Sequence, residues 1–384
     1  MQVNKRVAVV SKRLPHYRVA FHEQVRANLR HYGIEYQLVY GAPTGDDLSK
    51  SDSSDIPWAC KITNKQINLF GIQLVWQPCL HKLKRCDLVI AAQANSLLIN
   101  FWLLLKQPVS KTKFAFWGHG KNFQANCKHS FSEKIKKLVA VKAYWWFAYN
   151  DFSADIIRQL GFAHHKITAV QNAIDSSELI KAEQNIAKSE SQTISKSLGI
   201  TSDNIGLYIG SIYPLKRLPF LIESCCAVKK SIPDFHLVII GDGPQASWLR
   251  QQADRIPWLH FIGPKFGKQR VPYFQMAKAV LMPAGVGLGI VDAFALLRPL
   301  ITTATDSHGP EISYLKDGFN GIMVQQRNNV NAYSSAITQV FTDESLRLHL
   351  IEGCRQSREK YTIEHMANNF SRGIVQALGI ENTA

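Results

Sequence analysis

The most constraining feature of this chain is the stretch 279–304, AVLMPAGVGLGIVDAFALLRPLITTA. It predicts a short strand (Val280 to Pro283), a turn carrying Gly285, Gly287 and Gly289, a helix from Leu288 to Leu297, and a second strand (Leu300 to Thr303). Two strands joined by one helix make a parallel βαβ crossover, which commits the surrounding chain to a helix-covered parallel sheet. Glycines in the turn let the backbone come close to a ligand. The helix behind it would aim free N–H groups at an anion above the turn. Asp292 lies one turn into that helix. Alone, the stretch is equally a tight βα turn with no ligand, so the rest of the chain has to decide.

The same alternation runs through the whole sequence. Strand patterns fall at 6–10, 36–40, 87–92, 114–117, 144–149 and 167–170, with helices predicted at 17–30, 96–106, 132–142 and 153–160, the last capped by Asp151. Residues 41–60 read as a loop rich in turn formers. A polar stretch at 173–203 lacks strand signal and marks a boundary, after which strands recur at 206–209, 236–240, 259–262, 280–282, 300–303 and 321–324. The expected organisation is α/β: a Rossmann-like domain over 1–175, a second over 176–360, and a helix in 361–384 packing back on the first. A cleft between the two domains is the expected ligand site.

Composition narrows the partners. Residues 1–175 carry 24 lysines and arginines against 11 acidic residues, so the excess of the +16 chain sits in its first half. Such asymmetry suits an anionic membrane surface or nucleic acid. A basic segment at 131–147, FSEKIKKLVAVKAYWWF, is either a surface helix packed inward or one lying on a membrane. No apolar run is long enough for a membrane span, and seven cysteines without a C-x-x-C pair suit a reduced, cytoplasmic protein.

In the second half, four motifs sit at the carboxyl ends of predicted strands, where open α/β sheets bind ligands. These are GSIYPLKR, with Gly210, Ser211, Lys216 and Arg217; GDGP, with Gly241, Asp242 and Gly243; the turn with Gly285, Gly287, Leu288 and Gly289; and DSHGPE, with Asp306 and Glu311. Nucleic-acid binding would leave all four without a purpose, so no nucleic-acid partner is expected. In the first half, Arg13, His16, Tyr17 and Arg18 follow the first strand and could hold an acceptor phosphate.

The order of these motifs, with F-I-G at 261–263 and D-G-F-N-G at 317–321, resembles glycosyltransferase family 4, most strongly over 204–325. LPHYR at 14–18, WGHG at 117–120 and QNAID at 171–175 resemble members that build bacterial polysaccharides. The resemblance implies a GT-B architecture of two facing Rossmann-like domains and a retaining transfer of a sugar from a nucleotide-diphosphate donor, UDP- or GDP-linked. The expected acceptor is a glycan or a polyprenyl-diphosphate-linked carrier, at the inner face of a membrane. It also implies that Asp292 binds the ribose and that His119 faces the donor sugar. Two departures stand out. Ala284 occupies the place of the first of the family's two glutamates, and Ser211 that of its arginine. Glu311 or Asp306 would then take the sugar contact.

No Asp-x-Asp pair suggests a metal, since Asp52 and Asp55 are spaced too loosely. Lys216, Arg217 and the helix start at 288 are the expected metal-free answer to the diphosphate. No cofactor is expected beyond the nucleotide sugar as co-substrate. A GT-B sugar-nucleotide isomerase and a non-catalytic nucleotide-sugar binder remain as alternatives.

Overall fold

The structure, a computed structural model, describes residues 5–44, 52–69, 72–120, 140–185 and 188–380. The chain divides into two compact units, one of residues 1–175 with 363–384 and the other of residues 176–362.

The first unit contains, in chain order, β1 (Lys5–Ser11), α1 (Val19–Arg30), β2 (Ile34–Gly41), β3 (Cys60–Ile62), β4 (Lys65–Leu69), β5 (Ile72–Trp76), α2 (Leu80–Leu83), β6 (Leu88–Ala92), α3 (Leu98–Lys106), β7 (Lys113–Gly118), β8 (Trp145–Ala148), α4 (Asp151–Gln159) and β9 (Ile167–Ala169). Its parallel sheet has the order β3-β2-β1-β6-β7-β8-β9. Strand alternation sends Val7 and Val9 to one face and Ala8 and Val10 to the other, and both sets are buried. A sheet buried on both faces explains why β1 and β6 read as unbroken apolar runs.

The second unit holds α5 (Ser177–Asn185), α6 (Lys188–Ser197), β10 (Ile205–Ile209), α7 (Leu218–Ser231), β11 (His236–Ile240), α8 (Ala246–Arg255), β12 (Leu259–Gly263), α9 (Val271–Met276), β13 (Ala279–Leu281), α10 (Gly289–Ala295), β14 (Leu300–Thr303), β15 (Gly321–Val324), α11 (Val330–Thr342) and α12 (Glu344–Lys360). Its sheet order, β12-β11-β10-β13-β14-β15, is the doubly wound 3-2-1-4-5-6 arrangement. The chain then returns to the first unit as α13 (Ile363–Leu378). There Phe370 meets Phe21, Trp117 and Phe147 at ring separations of 5.1, 5.1 and 4.5 Å.

Several sequence expectations need correction. The cap of α4 is Asn150, whose side chain accepts the Ser153 N–H; Asp151 is the first helical residue. The polar stretch read as a boundary carries α5 and α6, and β3, the β4–β5 hairpin and α2 have no counterpart in the expected elements. Every residue of β4 is exposed, so no burial pattern announces it. The basic segment at 131–147 falls largely outside the described residues, as does most of the helix expected at 132–142. Among the described residues, no helix is long and apolar enough to cross a membrane.

Burial in the first unit has a pH consequence. His22 is fully buried, its Nδ1 lies 2.7 Å from the Tyr36 hydroxyl, and burial, aided by Arg18, lowers its pKa to about 3. An unfolded histidine titrates near 6.5, so protons favour the unfolded chain as pH falls from there toward 3. Stability is expected to drop by about 3 kcal/mol from this group between pH 7 and pH 4. Urea unfolding midpoints across that range check it, and His22→Leu should flatten the slope; an equally steep slope in the variant would assign the loss to other groups.

Candidate functional site

In the second unit, the four strand-end motifs follow β10, β11, β13 and β14, which are neighbours in the middle of the sheet. The switch point of the winding lies between β10 and β13, and crevices at such points are where these sheets take ligands.

Lys216 spans it. The residue ends a short 3-10 turn (Pro214–Lys216) after β10, and its Nζ donates to the Gly285 carbonyl in the turn after β13. Its ammonium also lies 5.5 Å from the Tyr213 ring centroid. The side chain is buried, and that desolvation lowers its pKa to about 8. Gly285 has φ +64°, and a Cβ there would stand 2.9 Å from Lys216 Cδ. Glycine is therefore required both by the backbone and by the lysine lying over it.

The turn after β13 is fastened to the loop after β14. Thr303 Oγ1 donates to the Pro283 carbonyl at 2.8 Å, and the Gly309 N–H donates to the Val286 carbonyl at 2.7 Å. His308, buried between them, accepts the Val286 N–H on Nδ1 at 3.0 Å and faces the Thr303 carbonyl with Nε2 at 2.7 Å. An imidazole that accepts on one nitrogen and donates from the other is neutral. Burial accordingly lowers the pKa of His308, with the Lys216 charge adding to that and the Thr303 carbonyl opposing it.

Glu311 is buried beside the same turn. Its Oε2 lies where a Cβ on Gly309 would be 2.8 Å away and one on Gly287 4.0 Å away. Asp306 is exposed on the preceding bend. Ala284 is wholly buried, so its side chain faces the interior and not the turn's open side. Gly210 and Gly289 flank Met282, whose Cε would be 3.8 Å from a Cβ on either.

Behind the turn, Asp292 is buried in α10. Arg270 Nη1 donates to its Oδ2 at 2.6 Å, while Oδ1 is buried without a protein donor. Burial raises the Asp292 pKa and the Arg270 charge pulls it back. A buried carboxyl oxygen without a protein partner is an unmet hydrogen-bonding position.

Other expected site residues make contacts within the protein. Gly241 and Gly243 approach protein backbone: a Cβ on the first would be 1.9 Å from the Gly210 carbonyl oxygen, and on the second 2.3 Å from that of Ile212. The Asp242 carbonyl receives the Ile212 N–H at 2.8 Å, and its side chain caps Gly243 N. These residues buttress the loop that carries Gly210 and Ser211. Arg217 donates to the Arg327 carbonyl at 2.6 Å, to Asn328 Oδ1 at 3.0 Å and to Thr303 Oγ1 at 3.5 Å.

In the first unit, His119 follows β7 and packs on Tyr149 with ring centroids 4.4 Å apart. Arg13 forms a two-pronged ion pair with Asp52 at 2.5 and 3.1 Å, and Asp55 is bonded by Lys61 and Tyr40. His16 is exposed, with Nδ1 3.3 Å from the Asp52 carbonyl, and packs edge-on against Tyr17. Arg18 is a buried clamp: it donates to Asn172 Oδ1 at 2.6 Å and to the Ala173 carbonyl at 3.4 Å, and it lies 5.3 Å from the Trp117 ring.

Sequence reasoning missed His308 and Arg270. His308 lay within the quoted DSHGPE, but its partners are backbone groups that only the fold brings close. Arg270 precedes α9 and meets Asp292 across 22 residues.

In the second unit, residues 203–343 match the family model described as glycosyl transferases group 1. Among curated proteins, the chain is 24% identical over 192 residues to alpha-D-kanosaminyltransferase of Streptomyces kanamyceticus, covering 47% of this chain and 48% of that one. It is 26% identical over 146 residues to alpha-monoglucosyldiacylglycerol synthase of Acholeplasma laidlawii, 36% of each. The matched region thus spans less than half the length of either relative. Over nearly the whole chain the fold is similar to that of the Anabaena protein HepE solved with UDP (TM-score 0.70, 13% identity, 97% of this chain and 100% of that one). A glycosyltransferase from Rickettsia africae is equally similar (TM-score 0.70, 16% identity, 99% and 100%). The fold is the GT-B type, α/β with two Rossmann-like units.

Proposed function

We propose that this protein is a metal-independent, retaining glycosyltransferase that moves a sugar from a nucleotide-diphosphate donor to a lipid-linked or cell-surface glycan. The observation that carries the reading is the buried Lys216 bridging the switch point to Gly285, with Glu311 over the same turn and the orphaned Asp292 oxygen behind it. Each group matches a part of a nucleotide sugar. Lys216 offers charge to the diphosphate, Asp292 Oδ1 accepts from a ribose hydroxyl, and Glu311 accepts from hydroxyls of the sugar in place of the glutamate absent at Ala284.

In the transfer, the bond from the anomeric carbon to the diphosphate oxygen breaks with its electron pair leaving on the diphosphate. A bond to the acceptor oxygen forms on the same face of the sugar as that hydroxyl gives its proton to the departing diphosphate oxygen. Negative charge grows on the leaving group, and a fixed cation in a dry site stabilises it best. The UDP held by the Anabaena structure makes UDP-sugars the first donors to try. The basic excess of residues 1–175 favours an acceptor bearing phosphate, at the inner face of a membrane.

The test is a melting-temperature panel with UDP, GDP, ADP, CMP and their sugars, with and without EDTA, followed by transfer to a polyprenyl-diphosphate glycan with the product's anomeric configuration read by NMR. One diphosphate nucleotide should raise stability by about 2.7 kcal/mol at a hundred times its Kd, whether or not EDTA is present. Glu311→Gln should leave nucleotide binding intact and cut turnover at least tenfold. No shift with any nucleotide would sink the reading, and an unchanged Glu311→Gln turnover would remove that residue from it.

A further inference from the structure

We infer that His308 is the positioning residue that sets the shape of the 285–289 turn, by presenting a lone pair on Nδ1 to the Val286 N–H. The inference rests on the donor-site reading above and goes a step further, to the residue that makes the turn competent. Four observations lead there. Val286 and His308 are both buried, so the Val286 N–H has no recourse to water. It is satisfied at 3.0 Å by a side chain from another strand's loop. The opposite nitrogen, Nε2, is 2.7 Å from the Thr303 carbonyl, which can only accept, so the proton is fixed on Nε2 and the lone pair on Nδ1. The carbonyls of Pro283, Gly285 and Val286 are taken by Thr303, Lys216 and Gly309 respectively.

The backbone on the Val286 side of the turn is therefore committed to protein partners. Without the Nδ1 acceptor, a buried N–H must turn to find another partner. The peptide before Val286 would rotate and carry with it the Gly285 carbonyl that orients Lys216.

Three substitutions separate this role from mere packing. The Oδ1 of His308→Asn can fall near the Nδ1 position, whereas the amide of His308→Gln reaches toward the Nε2 position and the Thr303 carbonyl. His308→Leu keeps volume and offers neither. The probe is UDP, with GDP as the second, titrated by calorimetry, alongside hydrogen exchange of the Val286 amide in each protein without nucleotide. Asn should hold Kd within about threefold of the parent and keep the amide protected. Gln and Leu should weaken binding at least tenfold and speed Val286 exchange at least tenfold. Equal affinity and equal protection for Asn and Gln would overturn the inference, and so would unchanged Val286 exchange in Leu. Should the parent bind no nucleoside diphosphate, the donor-site reading falls, and the exchange rates alone decide the role of His308.

Discussion

Lys216→Ala is expected to weaken nucleoside-diphosphate binding by about a hundredfold, since a hydrogen-bonded charge contributes about 1.5–3 kcal/mol. The loss should be larger than for any exposed lysine because Lys216 sits in a desolvated place and already aims its ammonium across the switch point. Its lowered pKa, about 8, adds a pH signature. The charged form binds the diphosphate, so affinity should fall as pH rises through about 8, and this dependence should vanish in the alanine variant. The sign for stability is opposite. An unfolded lysine holds its proton to about 10.5 and the folded one only to about 8, so without ligand the fold gains stability as pH rises between those values. At neutral pH the ligand-free fold therefore bears the cost of an ion kept from water. Lys216→Met should leave it equally or more stable by about 1 kcal/mol while weakening nucleotide binding as much as alanine does, the trade expected where a site is organised for function. Calorimetric titration and melting curves at pH 6.5, 7.5, 8.5 and 9.5 measure both halves. A methionine variant that binds UDP as well as its parent would remove Lys216 from the site.

The second large effect is structural. Gly241→Ala would place a Cβ 1.9 Å from the Gly210 carbonyl oxygen, and Gly243→Ala one 2.3 Å from that of Ile212, in each case against backbone that cannot swing aside. Each should destabilise the second unit by about 3–5 kcal/mol, the range reached when overpacking meets an unfavourable backbone conformation. Gly161→Ala is the control. Its φ is +89°, but nothing lies within 4 Å of the added atom, so only the backbone term of about 1–2 kcal/mol applies. Urea unfolding of the three variants separates the clash from the dihedral cost. If Gly241→Ala cost no more than Gly161→Ala, the close approach of the 210 and 241 loops would be wrong.

Those glycines show how far the sequence can be read. GDGP marked a strand-end turn, but the close approach of its glycines to the backbone of a loop from another strand leaves no local signature. Parallel strands such as β6 and β10 were legible because burial on both faces writes an apolar run into a few consecutive residues. β4 was not, since an exposed hairpin needs no such run, and α5 and α6 were hidden by their polarity. At the site, Lys216 and the glycine turn were visible as an ordered series of strand-end motifs. His308 and Arg270 were not, because each works on a partner 22 residues away, and for His308 the partner is a backbone group common to every residue. Arg18, grouped by sequence with Arg13, His16 and Tyr17 as an acceptor-phosphate residue, is buried and bonded to residues 172–173, contacts so distant along the chain that they leave no local mark.

The return of the chain to its first unit sets an order of events during synthesis. Phe21, Trp117 and Phe147 emerge early, yet the ring that covers all three, Phe370, is translated only after every residue of the second unit. The second unit is one continuous piece and can close as soon as it leaves the ribosome. The first must wait with an aromatic surface open to water, so a pause or break in translation between residues 175 and 363 would leave a nascent chain whose early half is the part that chaperones have to shield.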